Sequence, residues 1–303
     1  MKILNFGSLN IDYVYSVEHL VQPGETIPSR KLEIFCGGKG LNQSVALARA
    51  GADVFHAGMV GSDGAILTER LRGAGADVSN VAVGSGVSGH AVIQVDRSGQ
   101  NCILLHGGAN AEICPEFIRR VICRFGEGDI LLLQNEISGI AEIMEAAHRQ
   151  GLRIAFNPSP VDERIAGYPL EYVTWFILNE IEGAALIGRA APDEITGGLL
   201  KKYPGSRVVL TLGRQGVRYS DGQVSAAHGI YPVKVVDTTA AGDTFTGYFL
   251  AGVLEELPIG ETLRRASVAS SIAVSRMGAS NSIPALAQVL AFEGEPSIVE
   301  NGV

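Results

Sequence analysis

The sequence predicts an α/β fold built on a central, mainly parallel sheet with a small second sheet, and three observations carry that expectation. From about residue 129 onward, short apolar runs alternate with segments of helical period: Ile130 to Leu133, Leu152 to Phe156, Trp175 to Leu178 and Val208 to Thr211. Runs of this kind are buried on both faces, and their alternation with helices gives right-handed parallel crossovers. Before that point, four short alternating or β-branched stretches with turn residues between them predict a separate small sheet. The 303 residues, 46% hydrophobic and 18% charged, read as a single globular domain spanning 1–303, with no repeat, linker or low-complexity tract.

Taken in order, Ile3 to Leu9 reads as a strand ending in Asn10-Ile11-Asp12. Tyr13 to Val17 and Lys31 to Phe35 are strand-like, separated by the turn residues Pro23-Gly24-Glu25-Thr26. Lys39 to Ala50 carries Leu41, Val45 and Ala48 on one helical face, with Gly51 as its stop. Gly89 to Asp96 and Asn101 to His106 form a candidate hairpin about Arg97-Ser98-Gly99-Gln100. These pieces predict a small antiparallel sheet assembled from two separated stretches. After Ile130 to Leu133, Ser138 is expected to cap a helix bearing Ile140, Ile143, Met144 and Ala147, ended by Gly151. Val233 to Val236 reads as a strand, and Phe245, Phe249 and Val253 recur at helical spacing. From about Glu293 the chain reads as a loose tail.

Charge and cysteine usage narrow the function. Lys and Arg number 24 against 32 Asp and Glu, a net charge of −8. That disfavours a nucleic-acid partner, which wants a basic face, and fits a soluble cytoplasmic protein. Cys36, Cys102, Cys114 and Cys123 form no CxxC pair and have no His-rich company, so a zinc site is not expected and the thiols read as reduced. Neither a signal peptide nor an apolar run long enough to cross a membrane is evident.

Several strands end in polar residues: Gln134-Asn135-Glu136, Asn157-Pro158, Asn179-Glu180 and Thr211-Leu212-Gly213. Open parallel sheets bind ligands at the carboxyl edge, so a site is expected there. The strongest motif is Asp237-Thr238-Thr239-Ala240-Ala241-Gly242-Asp243-Thr244-Phe245. It places Ala241, Gly242 and Asp243 at a helix N-terminus, where free N–H groups and the dipole favour an anion. Asp243 could accept a proton from a hydroxyl there or simply cap the helix.

Gly37-Gly38-Lys39-Gly40-Leu41-Asn42 is not a Walker loop, since Gly40 rather than Ser or Thr follows Lys39. Its glycines allow a tight turn from which Lys39 and Asn42 could address a polyhydroxylated ligand, or it is an ordinary glycine-rich turn. Gly7-Ser8-Leu9-Asn10-Ile11-Asp12 lacks the glycine spacing of a dinucleotide fingerprint. Asn10 and Asp12 face one side of an extended segment and could grip vicinal hydroxyls. Asn179 and Glu182 could both address a metal-bound phosphate, and Thr211 to Gly216 is a strand end with a glycine turn, a hairpin signal in isolation.

Together these motifs resemble the ribokinase family, the PfkB carbohydrate kinases, over about residues 2–284. Two signatures carry the resemblance. The first is Gly37-Gly38-Lys39-Gly40-Leu41-Asn42-Gln43-Ser44 followed by Gly51 and Gly61, and the second is Asp237 through Gly247. Pro23 to Thr26, His106 to Asn110 and Gly278-Ala279-Ser280 are similar to the ribokinase branch of that family.

The resemblance implies a ribokinase-like three-layer α/β/α fold with a β-sheet lid formed by residues 10–36 and 89–106, a second copy of which often pairs with it to make a homodimer. It implies transfer of the γ-phosphoryl of ATP to a primary hydroxyl of a small sugar, ribose foremost, with Mg²⁺ and an activating K⁺. Asn10, Asp12, Gly38, Lys39, Asn42 and Glu136 match sugar-contacting positions, and Asp243 matches the base. Ala241 and Gly242 match the anion hole. Asn179, Thr211, Gly213 and Gly216 match nucleotide-side positions, and Glu182 matches the acid that organises Mg²⁺ through water. Asp237, Thr239, Ala273, Arg276, Gly278 and Ser282 match the monovalent-cation loop, Arg276 through its carbonyl.

Tyr248 departs from the small residue usual in the second signature, and Ile11, Tyr13 and Ser267 stand at positions that tune specificity or adenine contact. A kinase of the same family acting on another pentose, a ketohexose or a nucleoside, with Tyr13, Tyr15 and Phe35 as a stacking surface, and a non-catalytic sensor on the same scaffold are the alternatives.

Overall fold

The computed structural model describes residues 1–297. The first half of the chain contributes β1 (Ile3–Phe6), β2 (Asn10–Ser16), β3 (Lys31–Gly37), α1 (Lys39–Arg49), β4 (Val54–Val60), α2 (Ala65–Ala74), β5 (Asp77–Val83), β6 (Gly89–Val95), β7 (Asn101–His106) and α3 (Pro115–Ile122). The second half adds β8 (Ile130–Gln134), α4 (Ile140–Arg149), β9 (Arg153–Asn157), β10 (Val173–Asn179), α5 (Glu180–Ile187), α6 (Pro192–Lys202) and β11 (Arg207–Thr211). It closes with β12 (Val217–Ser220), β13 (Ser225–His228), α7 (Ala241–Leu254), α8 (Ile259–Val274) and α9 (Leu286–Leu290).

Nine strands form one sheet in the order β13-β12-β11-β10-β9-β8-β1-β4-β5, parallel throughout except for β12 and β13. The apolar runs that predict its centre behave as strands buried on both faces: all five residues of β8 are buried. Successive residues point to opposite layers. Ile130, Leu132, Ala155 and Ile177 pack beneath α1, α7 and α8, while Leu131, Leu133, Ile154 and Phe176 pack against α3, α4 and α6. The result is three layers, α/β/α, as expected. Each such fully buried Leu, Ile or Phe contributes about 1.5–3 kcal/mol of transfer free energy.

The second sheet runs β3-β2-β6-β7. Its two hairpins are antiparallel, but they join through a parallel β2–β6 pair running from Asn10↔Gly89 to Ser16↔Val95. The sheet is therefore mixed, not antiparallel as expected: both hairpins leave the same edge of the main sheet, so their inner strands point the same way. Alternation along β2 sets Asn10, Asp12 and Val14 on one face, and Ile11, Tyr13 and Tyr15 on the other.

Three local expectations differ from the structure. Ser138 does not cap α4. Gly139 precedes that helix at φ 74°, and Ser138 Oγ instead accepts a hydrogen bond from the Ile113 N–H at 3.1 Å. Val233 to Val236 joins no sheet; the segment is held from the side, by Val236 and Asp237 N–H groups donating to Val274 O. The tail is tied down as far as Ser297, whose N–H donates to Ile230 O at 2.7 Å; residues beyond it lie outside the described range.

Candidate active site

The carboxyl edge of the main sheet assembles the polar strand ends in register. Gln134 at the end of β8 pairs with Asn157 of β9, and Asn179 of β10 pairs with Thr211 of β11. Asn157, Asn179 and Thr211 line a crevice of ≈ 250 Å³, which also receives Lys39, Glu182, Thr238, Ala240, Ala241, Gly242 and Asp243.

Helix α7 opens onto this crevice. The residue before it, Ala240, sits in the left-handed region at φ 59°. A non-glycine residue there stores strain that the surroundings must hold. The Ala241 N–H turns back to Thr238 O at 3.3 Å, whereas the N–H groups of Gly242 and Asp243 meet no backbone acceptor among the described residues. A methyl group built on Gly242 would meet nothing within 4 Å. The helix N-terminus thus presents free donors to open space, an arrangement suited to an anion.

Asp243 does not cap its helix. It lies in the first turn, 8% exposed, and its carboxylate is held from α1: Asn42 Nδ2 donates to Oδ2 at 3.0 Å and Gln43 Nε2 to Oδ1 at 2.8 Å. Of the two readings left open by the motif, capping is the one the hydrogen bonds do not make.

The first signature is seated by its glycines. Gly38 precedes α1 at φ 89°, and Gly40 brings the helix against the end of β1 so closely that a Cβ would lie 2.3 Å from Ser8 N. Lys39 follows from this turn, facing Asp243, Glu136 and Glu182. Burial alone would lower its pKa, but the three carboxylates outweigh that and raise it, so it stays an ammonium. Glu136 accepts from the Lys39 N–H (2.9 Å) and from Ser8 Oγ (2.5 Å); burial nevertheless pushes its carboxyl upward. Asp12 is pushed up to about 7, first by burial and then by the Glu136 charge. Asn10 is pinned by Asn110, whose Nδ2 donates to Asn10 Oδ1 at 2.7 Å. Charges and hydrogen bonds thus link Asp12 and Lys39 to Glu136, and Lys39 and Asn42 to Asp243, while Asn10 is held through Asn110 and Gly38 sets the turn into α1.

The remaining expected positions are distributed as follows. Asn179 and Glu182 form a capping box for α5: Asn179 Oδ1 accepts from Glu182 N–H (2.9 Å) and Glu182 Oε2 from Asn179 N–H (3.0 Å). The spacing that suggested joint phosphate binding thus also serves the helix end, while both residues line the crevice. Gly213 is open at φ 54°, but Gly216 lies against the next hairpin, where a Cβ would fall 2.1 Å from His228 O. Neither lines the crevice. Asp237 joins two loops: its carboxylate accepts from Thr239 N–H and Gly278 N–H, both at 2.9 Å. Burial would raise its pKa, yet these bonds bring it below the usual range. Ala273 lies in the last turn of α8, and Arg276, Gly278 and Ser282 follow in the second loop.

Tyr248 leaves the crevice clear. It is 2% exposed and donates to Pro284 O at 2.9 Å, tying α7 to the segment before α9. Tyr13 and Tyr15 lie on the sheet face opposite Asn10 and Asp12, and the Tyr13 ring stands edge-on to His90; of the three candidate stacking residues only Phe35, paired with Asp12, shares the latter's face. Sequence reasoning missed Gln43 and Ser8. A carboxamide four residues before the buried Leu47, on the apolar side of α1, was the available signal.

Comparison with known proteins agrees with this geometry. The family model described as pfkB family carbohydrate kinase matches residues 1–286. The ribokinase of Haemophilus influenzae is 34% identical over 295 residues, covering 94% of this chain and 96% of that protein. Among solved structures, ribokinase from Cryptococcus neoformans var. grubii in complex with ADP aligns with a TM-score of 0.85 at 33% identity, covering 95% of this chain and 98% of that one. Arabidopsis thaliana ribokinase complexed with ribose and ATP gives a TM-score of 0.85 at 30% identity, covering 96% and 99%. With its fold, its strand-edge crevice and both signatures in place, the chain belongs to the pfkB family of carbohydrate kinases.

Proposed function

We propose that the chain is an ATP-dependent ribose kinase that transfers the γ-phosphoryl of ATP to a primary hydroxyl of the sugar, with Asp243 as the base. The observation that carries this reading is Asp243 itself, a carboxylate with both oxygens fixed, beside free helix N–H donors at a crevice. Relatives and solved structures named as ribokinases, one holding ribose and ATP, support it.

In the reaction, the sugar hydroxyl forms a new O–P bond as the bond from the γ-phosphorus to its bridging oxygen breaks, and the hydroxyl proton passes to Asp243. Phosphoryl transfer asks mainly for position and charge. Gly242, with Ala241 shaping the turn, offers donors to the moving phosphoryl, and Lys39 adds a positive charge. Asn10, Asp12, Gly38, Lys39, Asn42 and Glu136 hold the sugar. Asn179, Thr211 and Gly213 flank the nucleotide, and Gly216 sets the course of that loop.

Glu182 suits Mg²⁺ held through water: among the described residues no group of three or more His, Cys, Asp or Glu forms a protein cage, and Mg²⁺ commonly rests on phosphates and one or two carboxylates. When bound, Mg²⁺ neutralises phosphate charge. The two loops with Asp237, Thr239, Arg276, Gly278 and Ser282, together with Ala273 at the end of α8, offer a carboxylate, a hydroxyl and carbonyl oxygens, a donor set that suits K⁺.

The small sheet acts as a lid that keeps water from competing as acceptor. Its edge strand β7 is exposed throughout, with Leu104 70% and Ile103 56% exposed, and a second lid is the partner that would cover it. Sedimentation that finds only monomer at micromolar concentration sinks this pairing. The four thiols are unpaired and suit the cytoplasm, and no helix among the described residues is long and apolar enough to cross a membrane.

The test is ADP release across ribose, deoxyribose, fructose and adenosine, with and without K⁺. Ribose is expected to give the highest kcat/KM. Asp243→Ala is expected to lose about 10²–10⁴-fold in turnover while calorimetry still detects sugar binding. A nearly active Asp243→Ala enzyme removes the assignment, and sugar binding without turnover in the unaltered chain favours a sensor instead.

A further inference from the structure

Beneath the crevice lies a chain of buried carboxamides that the reaction does not itself require. Gln43 is fully buried. Its Nε2 donates to Asp243 Oδ1 (2.8 Å) and to Asn157 Oδ1 (3.1 Å), and its Oε1 accepts from Gln134 Nε2 (2.7 Å). Gln134 Nε2 also donates to Asn5 Oδ1 at 3.0 Å, and Asn5 Nδ2 donates to Gly40 O (2.7 Å) and Ser44 Oγ (2.8 Å).

An amide group has two hydrogens to give, and Asn5, Gln134 and Gln43 each give both. The direction is therefore fixed. Rotating the Gln43 amide by half a turn would set its oxygen against two acceptors, Asp243 and Asn157, and its NH₂ against the NH₂ of Gln134. Burying such groups is costly, the more so because Gln134 Oε1 is buried without a hydrogen-bond partner among the described residues, and apolar side chains would serve the packing of α1 on the sheet as well.

We propose that Gln43 is a positioning residue for Asp243, oriented in turn by Gln134 and Asn5. Together with Asn42 it fixes the plane of the carboxylate, so that the remaining lone pairs address the acceptor hydroxyl. The charged groups that face Asp243 are Lys39 from α1, Glu136 after β8 and Glu182 from α5, and none of them is altered by changing Gln43. The inference rests on the reading of Asp243 as the base.

The experiment compares Gln43→Met, Gln134→Met and the double variant with the unaltered protein, with Asp243→Ala in the same series. For each, kcat and KM for ribose are measured, with thermal unfolding alongside. Gln43→Met is expected to lose about 10²-fold in kcat with KM little changed. Gln134→Met, which touches neither ligand nor Asp243, lowers kcat in the same way by less, and the double variant is no worse than Gln43→Met. A Gln43→Met enzyme that unfolds more easily but keeps the kcat of the unaltered protein overturns the proposal, as does a rise in KM alone. Retained activity in Asp243→Ala would instead overturn the base.

Discussion

Gly40→Ala isolates the contact on which the site is built. The added methyl would fall 2.3 Å from Ser8 N, 2.5 Å from Gly7 C and 2.6 Å from Gly7 Cα, all of them backbone atoms unable to swing aside. Ordinary contact begins at 3.4 Å, so α1 must retreat from β1 by about 1.1 Å, the difference between 3.4 and 2.3 Å. Three hydrogen bonds stretch with it: Leu41 N–H to Ser8 O, Gly40 N–H to Ser8 Oγ and Asn5 Nδ2 to Gly40 O. The strain costs about 1–3 kcal/mol, and each weakened bond adds about 1 kcal/mol. Lys39, Asn42 and Gln43 move as one body with the helix, displaced relative to Asp243 on α7. A displacement of that size near reacting groups costs about 10²-fold in rate. The assay is kcat and KM for ribose by coupled ADP release, with urea unfolding in parallel. Gly73→Ala is the control: it lies in α2 with nothing within 4 Å of the new methyl, and is expected to gain about 0.5–1 kcal/mol with activity unchanged. A Gly40→Ala enzyme within about threefold of wild-type kcat would refute the argument that this close approach sets the site.

Two pH-dependent outcomes follow from buried titratable groups. Asp12, near 7 when folded against 3.8 in its ordinary state, holds a proton in the folded chain that the unfolded chain has lost, so its contribution to stability is lost as pH rises from about 4 to about 7. Asp12→Asn is therefore expected to be more stable than the unaltered protein at pH 8 and no more so at pH 4, by urea midpoints; equal gains at both would discard the titration. Sugar hydroxyls donating to Asp12 favour its ionised form, so calorimetry in buffers of different ionisation heat should register proton release on ribose binding near pH 6.5, absent in Asp12→Asn. His56 behaves oppositely. Burial lowers it from 6.5 to about 3, so its stabilisation is present above 6.5 and is lost as pH falls toward 3, with a slope of about 1.4 kcal/mol per pH unit. His56→Leu should lack that component, and an unchanged acid slope in the variant would contradict it.

Much of the active edge was legible because it obeys local rules. Runs such as Ile130 to Leu133 can only be buried strands, and the polar residues ending them, Gln134, Asn157, Asn179 and Thr211, fall in register because parallel strands align their ends. What escaped depends on partners far along the chain. The parallel pairing of β2 with β6 has no signature in either hairpin. Val233 to Val236 has strand composition but meets no strand, so tertiary placement overrides propensity. β4 was unreadable partly because His56 interrupts its apolar run; its Nδ1 lies 2.8 Å from Ser44 Oγ of α1, a partner that periodicity does not reveal. Ser138 looked like a cap because Ser usually is one, and Ile113 took its oxygen instead.

The joining of β2 to β6 also sets an order of events during synthesis. The pair brings together residues 10–16 and 89–95, so the first hairpin emerges with one side of β2 unpartnered until the second has been made. That waiting edge carries Ile11, Tyr13, Val14 and Tyr15, an apolar template for unwanted strand addition. The nascent chain thus carries this exposed edge over the interval in which α1, β4, α2 and β5 are being translated.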